Sequence, residues 1–128
     1  MSRGLVDTSV FIAHDTGRRL ARAEVPDELA VSIITVGELR AGLLAAADLT
    51  SRDRRLATLM VALALDPVPV DDAVAQAWAG LRVALRDAGR RLGVNDSWIA
   101  ATAIALGLPI VTQDVDYTAV PSLRVVTI

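Results

Sequence analysis

"GLPIVTQDVDY", residues 107–117, places Asp114 and Asp116 directly behind a short apolar run of the kind that forms a buried parallel strand. Such a strand belongs in a core, where carboxylates are costly unless another group compensates their charge. The stretch therefore predicts a strand that ends at a site for charged groups.

The composition predicts one domain spanning residues 1–128. The chain is 53% hydrophobic, with a mean hydropathy of +0.46, which suits one compact core. Its longest apolar run, "LATLMVALAL" at 56–65, covers about half of the roughly 20 residues that cross a bilayer. Because no basic and then apolar segment opens the chain, we expect a soluble, unexported, cytoplasmic protein without a membrane partner.

The residue inventory excludes several kinds of site. The absence of Cys excludes disulfides, thiolate nucleophiles and zinc–thiolate sites, and a single His excludes a His-rich metal site. All 13 basic residues are Arg, so Lys is absent too. Any metal site must therefore be built from oxygen ligands.

Apolar periodicity predicts a three-layer α/β domain, with a central, mainly parallel sheet flanked by helices. Apolar residues recur at spacings of three and four in helices that include 35–47, 51–65 and the segments 74–85 and 99–106. The first two follow one another without a strand, which predicts a hairpin with surplus apolar surface. The predicted strands are 4–7, 29–34, 67–70, 108–112 and 123–128.

Five acids fall at predicted strand ends or helix starts, which lie along one edge of an open parallel sheet, where ligands bind. They are Asp7, Glu38, Asp96, Asp114 and Asp116.

Most of these acids also have a structural interpretation. Thr35 and Glu38 fit a capping box, Asp96 fits a helix N-terminus, and Asp114 and Asp116 fit a turn. Asp7 lies between two apolar segments and has no such obvious role.

Gathering these acids requires compensation. Two carboxylates about 4 Å apart repel by roughly 4 kcal/mol at an effective dielectric of about 20. Without Lys, the compensation is protonation, a nearby Arg or a divalent cation. Oxygen ligands without His or Cys favour Mg²⁺, with Mn²⁺ as a substitute.

Four segments together resemble the acidic motifs of PIN-domain ribonucleases, in the order and approximate spacing of the VapC toxins of VapBC toxin–antitoxin pairs. They are "GLVDTSVFIA" (4–13), "SIITVGELRAG" (32–42), "GVNDSWIAATAIALGL" (93–108) and "IVTQDVDY" (110–117). The resemblance extends from about residue 4 to the C-terminus. In two departures, Gln113 stands where these toxins often carry Arg or His, and Tyr117 stands where Phe is common.

The resemblance implies metal-assisted hydrolysis of RNA phosphodiester bonds. It implies that the catalytic acids are Asp7, Glu38, Asp96 and Asp114. Asp7 and Asp96 would be the principal metal ligands, Glu38 and Asp114 would complete the site, and the further ligands would be Asp114 and Asp116, the latter directly or through water. The supporting residues that it implies are Thr8, Ser9 and Thr112.

The resemblance also implies a homodimer, a cognate VapB antitoxin and a toxin–antitoxin hetero-oligomer. The surplus apolar surface at 35–65 would receive the antitoxin, because Leu39, Leu43 and Leu44 face more than one direction around their helix. The alternative is that these side chains complete the core.

Arginine is the residue type that suits RNA phosphates here. Arg40 follows Glu38 closely and is a candidate for substrate binding, with a solvated helix position as the alternative. The clusters "RDRR" (52–55) and "GRR" (89–91) are more typical of solvated helix ends than of RNA contacts.

Two other acidic α/β classes fit the chain poorly. A phosphoacceptor receiver domain needs a Lys, and a haloacid-dehalogenase-type phosphatase needs Asp-x-Asp where this chain has Asp7-Thr8-Ser9. A PIN-like scaffold without catalysis stays open.

Overall fold

The computed structural model describes residues 2–118 and 120–128, which contain a parallel sheet with strand order β2-β1-β3-β4. The strands are short and mostly apolar, as is typical of a sheet covered on both faces. They are β1 (Arg3–Val6), β2 (Glu28–Ala30), β3 (Ile110–Thr112) and β4 (Val125–Thr127).

Helices cover both faces of the sheet and produce three layers. Successive strand residues point to opposite faces, so Leu5 packs in the core with α4 and α5, and Val6 packs with α1, α2 and α3. The helices are α1 (Thr8–Asp15), α2 (Ile33–Leu44), α3 (Leu49–Leu63), α4 (Asp72–Asp87) and α5 (Val94–Leu106).

The two central strands approach closely at Gly4. A Cβ built at this position would lie 2.6 Å from Val111 Cγ2 and 3.0 Å from Pro26 Cγ. Glycine is therefore required for β1 to pair with β3 at this spacing.

The order of the strands places a topological switch point between β1 and β3. From β1 the chain continues through α1 to β2 on one side, whereas β3 continues to β4 on the other. Asp7 follows β1 directly, and Asp114 follows β3 by two residues. The crevice beyond the carboxyl ends of these strands is where ligands bind in sheets of this type.

The predicted fold class is confirmed, but some predicted elements are wrong. Segment 67–70 forms a single bridge, between Val68 and Ser32, instead of a strand, because its two prolines cannot donate to a ladder. The strand predicted over 29–34 ends at Ala30, and the capping side chain of Ser32 begins α2 there. Helix α1 was missed because its eight residues are too few to reveal a period.

The hairpin predicted over 35–47 and 51–65 corresponds to α2 and α3, which pack against each other and against the sheet. Leu39 is buried and Leu43 is partly buried. These two side chains complete the core, which was the alternative to partner binding. Leu44, Leu49, Leu56 and Met60 remain exposed. In the described part of the chain, no helix combines the length and apolar character that crossing a membrane demands.

Candidate metal-binding and active site

Asp7 is buried at the end of β1 and is held by protein donors on both carboxylate oxygens. Its side chain is 2% exposed. Thr112 Oγ1 donates to Oδ2 at 3.0 Å, and the Tyr117 hydroxyl donates to Oδ1 at 2.9 Å. Asp7 is also the N-cap of α1, since Oδ2 accepts from the Ser9 amide at 3.3 Å. Asp7 therefore has a structural role, as the N-cap of α1, which the sequence did not reveal.

Thr112 is the centre of a chain of hydroxyl groups. Its single proton goes to Asp7, so the Ser9 hydroxyl, 3.1 Å away, must donate to Thr112. Thr112 Oγ1 also accepts from the Asp114 amide at 2.8 Å, and Ser9 Oγ accepts from the Gln113 amide at 3.1 Å. The network ties the end of β1 to the end of β3.

Glu38 is positioned by a second hydroxyl chain. Thr8 Oγ1 donates to Glu38 Oε1 at 2.8 Å, which leaves Thr35 Oγ1 as the donor to Thr8 at 2.9 Å. Thr8 and Thr35 are buried, whereas Glu38 is half-buried at the site. The capping box predicted for Thr35 and Glu38 is wrong, because Ser32 caps α2 and Thr35 lies inside the helix.

Three acids form a cluster at the mouth of the crevice. Asp96 lies in the first turn of α5, Asp114 caps a short 3-10 helix at Val115–Tyr117, and Asp116 lies within it. One carboxylate oxygen from each lies within 4.8 Å of the others. The Asp116 amide donates to Asp114 Oδ1 at 2.9 Å, so the predicted turn role of this pair coexists with the cluster.

The charge of Asp96 is poorly compensated. Partial burial raises the pKa of Asp96 to about 6, although the neighbouring Tyr117 hydroxyl lowers this pKa in part. The negative charges of Asp7, Asp114 and Glu38 add to the rise in this pKa. All four acids are therefore close enough to act on one another electrostatically.

Tyr117 lies between Asp7 and Asp96 and is fully buried. Burial, together with these two carboxylates, raises the pKa of the phenol far above its ordinary value, so it stays a proton donor. A phenol has one proton, and here it is directed at Asp7. Asp96 is consequently left with less compensation than Asp7.

The acids thus divide into two groups. Among residues 2–118 and 120–128, the set whose carboxylates meet closely enough to share an ion is Asp96, Asp114 and Asp116. Asp7 lies directly behind this set, with its oxygens turned to Thr112 and Tyr117, and Glu38 faces it from α2.

The donor chemistry of this cluster fits a hard divalent cation. Three carboxylates supply oxygen ligands, and a cation would offset both the burial and the neighbouring negative charges that raise the pKa of Asp96. None of the 13 arginines is within 4 Å of Asp96, Asp114 or Asp116 in the described part of the chain. Mg²⁺ and Mn²⁺ both suit such a site.

The remaining predicted positions lie outside the carboxylate cluster. Arg40 is exposed on α2, and at 100° per residue it lies about 200° around the helix from Glu38, so its role in substrate binding stays a prediction. His14, the single histidine, is exposed. Gln113 turns inward, where its amide nitrogen donates to the carbonyls of Arg19 and Ile128 and its Oε1 is buried without a partner in the described structure.

Sequence reasoning missed the roles of Tyr117 and Thr35. Both side chains contact acids or their hydroxyl partners across the fold, at separations of 110 and 27 residues. For Tyr117, the departure from Phe was the available signal, because a buried phenol usually has a hydrogen-bond partner. No comparable signal marked Thr35.

Trp98, two residues after Asp96, stacks on Trp78 of α4. The ring centroids lie 4.5 Å apart and the planes differ by 5°. Trp78 Nε1 donates to Ser97 Oγ at 3.1 Å. This contact joins α4 to the first turn of α5, where Asp96 lies.

Comparisons with known proteins find similarity over nearly the whole chain. The PIN domain family model matches residues 4–123. Ribonuclease VapC5 of Mycobacterium tuberculosis is 49% identical over 116 residues, 91% of this chain and 86% of that protein. Ribonuclease VapC4 of the same organism is 47% identical over 126 residues, 98% of this chain and 97% of that protein.

A solved structure is similar over the whole chain. It is the crystal structure of VapBC-5 from Mycobacterium tuberculosis, a member of the VapBC family of toxin-antitoxin systems. The match has a TM-score of 0.91 and 43% identity, and it covers 100% of both chains.

Proposed function

Because the chain belongs to the VapC ribonucleases of the PIN-domain family, we propose that it is an endoribonuclease that hydrolyses RNA phosphodiester bonds with a divalent metal ion, Mg²⁺ in preference to Mn²⁺. One observation carries the proposal. Carboxylates of Asp96, Asp114 and Asp116 converge within 4.8 Å at the mouth of the crevice beyond β1 and β3.

Asp96, Asp114 and Asp116 are the residues that hold the ion, with Asp7 as a further ligand from behind. When bound, the ion stabilises charge on the phosphate and on the leaving oxygen and lowers the pKa of water. The chain contributes rigidity to this site. Thr112 and Tyr117 fix the carboxylate of Asp7, and the amide hydrogen bond to Thr112 fixes the start of the turn that carries Asp114.

Glu38 is the acid best placed to handle a proton in this site. Thr8 holds Oε1, while Oε2 has no hydrogen-bond partner in the described structure and Glu38 is only partly buried. We assign to Oε2 the acceptance of a proton from the attacking water. Thr8, Thr35 and Ser9 act indirectly, by fixing the two acids that they touch or support.

We further propose that the chain is the toxin of a VapBC-type pair, as an oligomer with a VapB-type antitoxin. Its relative VapBC-5 belongs to a toxin-antitoxin system. The α2–α3 hairpin offers an apolar surface for such a partner, because Leu44 is 85% exposed and Leu49 is 75% exposed. Homodimer formation is part of the same proposal.

The test of the catalytic proposal incubates the purified protein with a panel of cellular RNAs in Mg²⁺ or in EDTA. Asp96→Asn and Asp7→Asn should each slow cutting at least a hundredfold, about 2.7 kcal/mol of lost transition-state stabilisation. Asp53→Asn is the matched control, since Asp53 is an exposed acid on α3, outside the site. Cutting that survives EDTA and both site substitutions would refute the mechanism.

A further inference from the structure

An arginine-lined cavity of about 420 Å³ opens at the junction of α4 and α5. Arg82, Arg86, Arg90 and Arg91 line it, together with Ser97 from the first turn of α5. All four arginines are exposed, and the one acid that pairs with any of them in the described structure is Asp87, 3.4 Å from Arg86. Both members of this pair are exposed, so it compensates little of the positive charge.

The sequence of α4 explains why the arginines converge. Arg82 and Arg86 are four residues apart and share one helix face. Gly89 then ends the helix with a φ of +64°, and the Arg90 amide donates to the Leu85 carbonyl at 2.8 Å. This turn folds Arg90 and Arg91 back beside the last helical turn. A positive charge in the last turn of a helix is stabilised by the helix dipole, which explains Arg86. Arg82 precedes the last turn of α4, so the dipole does not explain its presence.

Arg82 is held in place by the tryptophan pair. Its guanidinium carbon lies 5.2 Å from the centroid of the Trp78 ring, a cation–π distance. Trp78 is itself fixed by stacking on Trp98 and by its hydrogen bond to Ser97. A guanidinium that is already ordered loses less entropy when it binds a ligand.

A neighbouring cavity reaches from the arginine-lined cavity to the carboxylate cluster. A second cavity, of about 360 Å³, shares Arg90 and Arg91 with the first and is lined on its far side by Asp116 and Thr118. Asp116 is a member of the carboxylate cluster. The two arginines therefore lie between the cluster and the arginine-lined cavity.

We propose that Arg90 and Arg91, followed by Arg82, bind consecutive phosphates of the RNA strand that flanks the scissile bond. The proposal rests on the proposed ribonuclease function and names where its substrate lies. The planar fork of arginine matches phosphate oxygens, and two neighbouring arginine positions can follow a backbone. We assign RNA as the occupant, because the path leads to the carboxylate cluster at which the proposed function places hydrolysis of RNA.

The test measures cleavage kinetics on a short fluorescent fragment of an RNA that the wild-type protein cuts, at several salt concentrations in Mg²⁺. Arg90→Ala/Arg91→Ala should raise KM by about tenfold and leave kcat nearly unchanged, because ground-state phosphate contacts are lost. The slope of log(kcat/KM) against log salt should become shallower by about 1.4, at roughly 0.7 per phosphate contact on a single strand.

Two further variants make the result specific. Arg52→Ala removes an exposed arginine from α3 and should leave KM and the salt slope at wild-type values. Arg90→Lys/Arg91→Lys keeps the charge and should restore most of the slope. Circular dichroism melts verify that every variant is folded.

The subsite would be overturned if the wild-type protein cuts RNA and the double alanine variant has the same KM and the same salt slope. The ribonuclease function would then still stand. An equal loss in Arg52→Ala would also overturn the subsite, since the effect would then reflect overall charge. If the wild-type protein cuts no RNA of the panel, the proposed function fails and the subsite fails with it.

Discussion

Asp7 and Asp96 lie at the same edge of the sheet, but the protein surrounds their charges differently. Asp7 is nearly fully buried, and hydroxyl groups of Thr112 and Tyr117 donate to its two oxygens. Asp96 is half-buried, and the carboxylates of Asp7, Asp114 and Glu38 surround it. The more buried acid is thus the better compensated one, and the pKa of Asp96 rises to about 6.

The site therefore has two parts. The charge of Asp7 is compensated by the folded protein itself, whereas the charges of the carboxylate cluster need a cation. The hydroxyl network stabilises Asp7 in the protein alone, because buried carboxylates are tolerated when they are fully hydrogen-bonded. The cluster of Asp96, Asp114 and Asp116 has like charges within 4.8 Å and no arginine beside it in the described structure. Substitutions in the two parts should therefore change stability in opposite directions.

The largest expected effect is that of Thr112→Val on the hydroxyl network. The substitution removes the donor to Asp7 and the acceptor of the Asp114 amide at one fully buried position. The free energy of unfolding should fall by about 2–4 kcal/mol, because a buried charge is left short of a partner. Urea unfolding at pH 7.5 measures this change.

Thr102→Val is the control for that substitution. Thr102 is also fully buried, but its hydroxyl donates to the Trp98 carbonyl within α5 and touches no acid. Its loss should cost less than about 1 kcal/mol. Equal costs for the two variants would show that Thr112 contributes by packing and not through Asp7.

A smaller loss is expected for Tyr117→Phe. The ring still fills its buried space, but Asp7 Oδ1 loses its donor and Asp96 loses a stabilising neighbour. The free energy of unfolding in EDTA should fall by about 1–2 kcal/mol. Because a cation can replace the missing donor, Mg²⁺ should recover part of this loss, as thermal melts with and without Mg²⁺ would reveal. A variant as stable as the wild type in EDTA would contradict the donor role of the phenol.

The sequence predicted the fold class and the family correctly, and both predictions are confirmed. The reason is physical. Short β-branched runs between helical periods specify a layered α/β architecture through burial alone. Acids at strand ends then mark the sheet edge, whatever the details of packing.

The sequence could not divide the acids into their two groups. Whether Asp7 or Asp96 is compensated depends on Thr112 and Tyr117, which lie 105 and 110 residues from Asp7 along the chain. Helix α1 was also invisible, so the cap that it requires from Asp7 was missed. Side-chain direction across the fold decides such roles, and periodicity carries no information about it.

The two arginine clusters teach the same lesson. "RDRR" and "GRR" look alike, but Arg54 pairs with Asp15 at 3.4 Å and Arg55 donates to the Gly42 carbonyl, which ties α3 to its neighbours. Arg90 and Arg91 have no acid within 4 Å in the described structure. Both clusters consist largely of arginine, but in the described structure the fold places hydrogen-bonding partners for the side chains only beside the first one. The second cluster can therefore still bind a ligand.

The dependence of stability on pH should reflect Asp96. Its pKa of about 6 in the folded protein exceeds the ordinary Asp value of 3.8, so the folded state holds a proton that the unfolded state releases between these values. In EDTA, this group's contribution to stability is present below about pH 4 and is lost as the pH rises through 6. The loss should be about 1–2 kcal/mol, since solvent screens a half-exposed group. Urea unfolding at pH 4 and pH 7.5, on the two sides of this window, measures it.

Asp96→Asn should remove that pH dependence and produce the smallest of the four changes. In EDTA at pH 7.5, the variant should be more stable than the wild type by about 0.5–1 kcal/mol, because the repulsion from Asp7, Asp114 and Glu38 is gone. The gain is less than the full pH effect, since burying the polar amide also costs free energy.

Excess Mg²⁺ should reverse the order of these two proteins, because an ion bound to the folded state stabilises the wild type more than the variant. Asp53→Asn, which changes an exposed acid on α3, should follow the wild type at each pH and with each additive. A destabilised Asp96→Asn variant in EDTA would mean that the protein already compensates Asp96. Asp7 and Asp96 would then be equivalent, and the site would not be divided into a completed part and a part that awaits a cation.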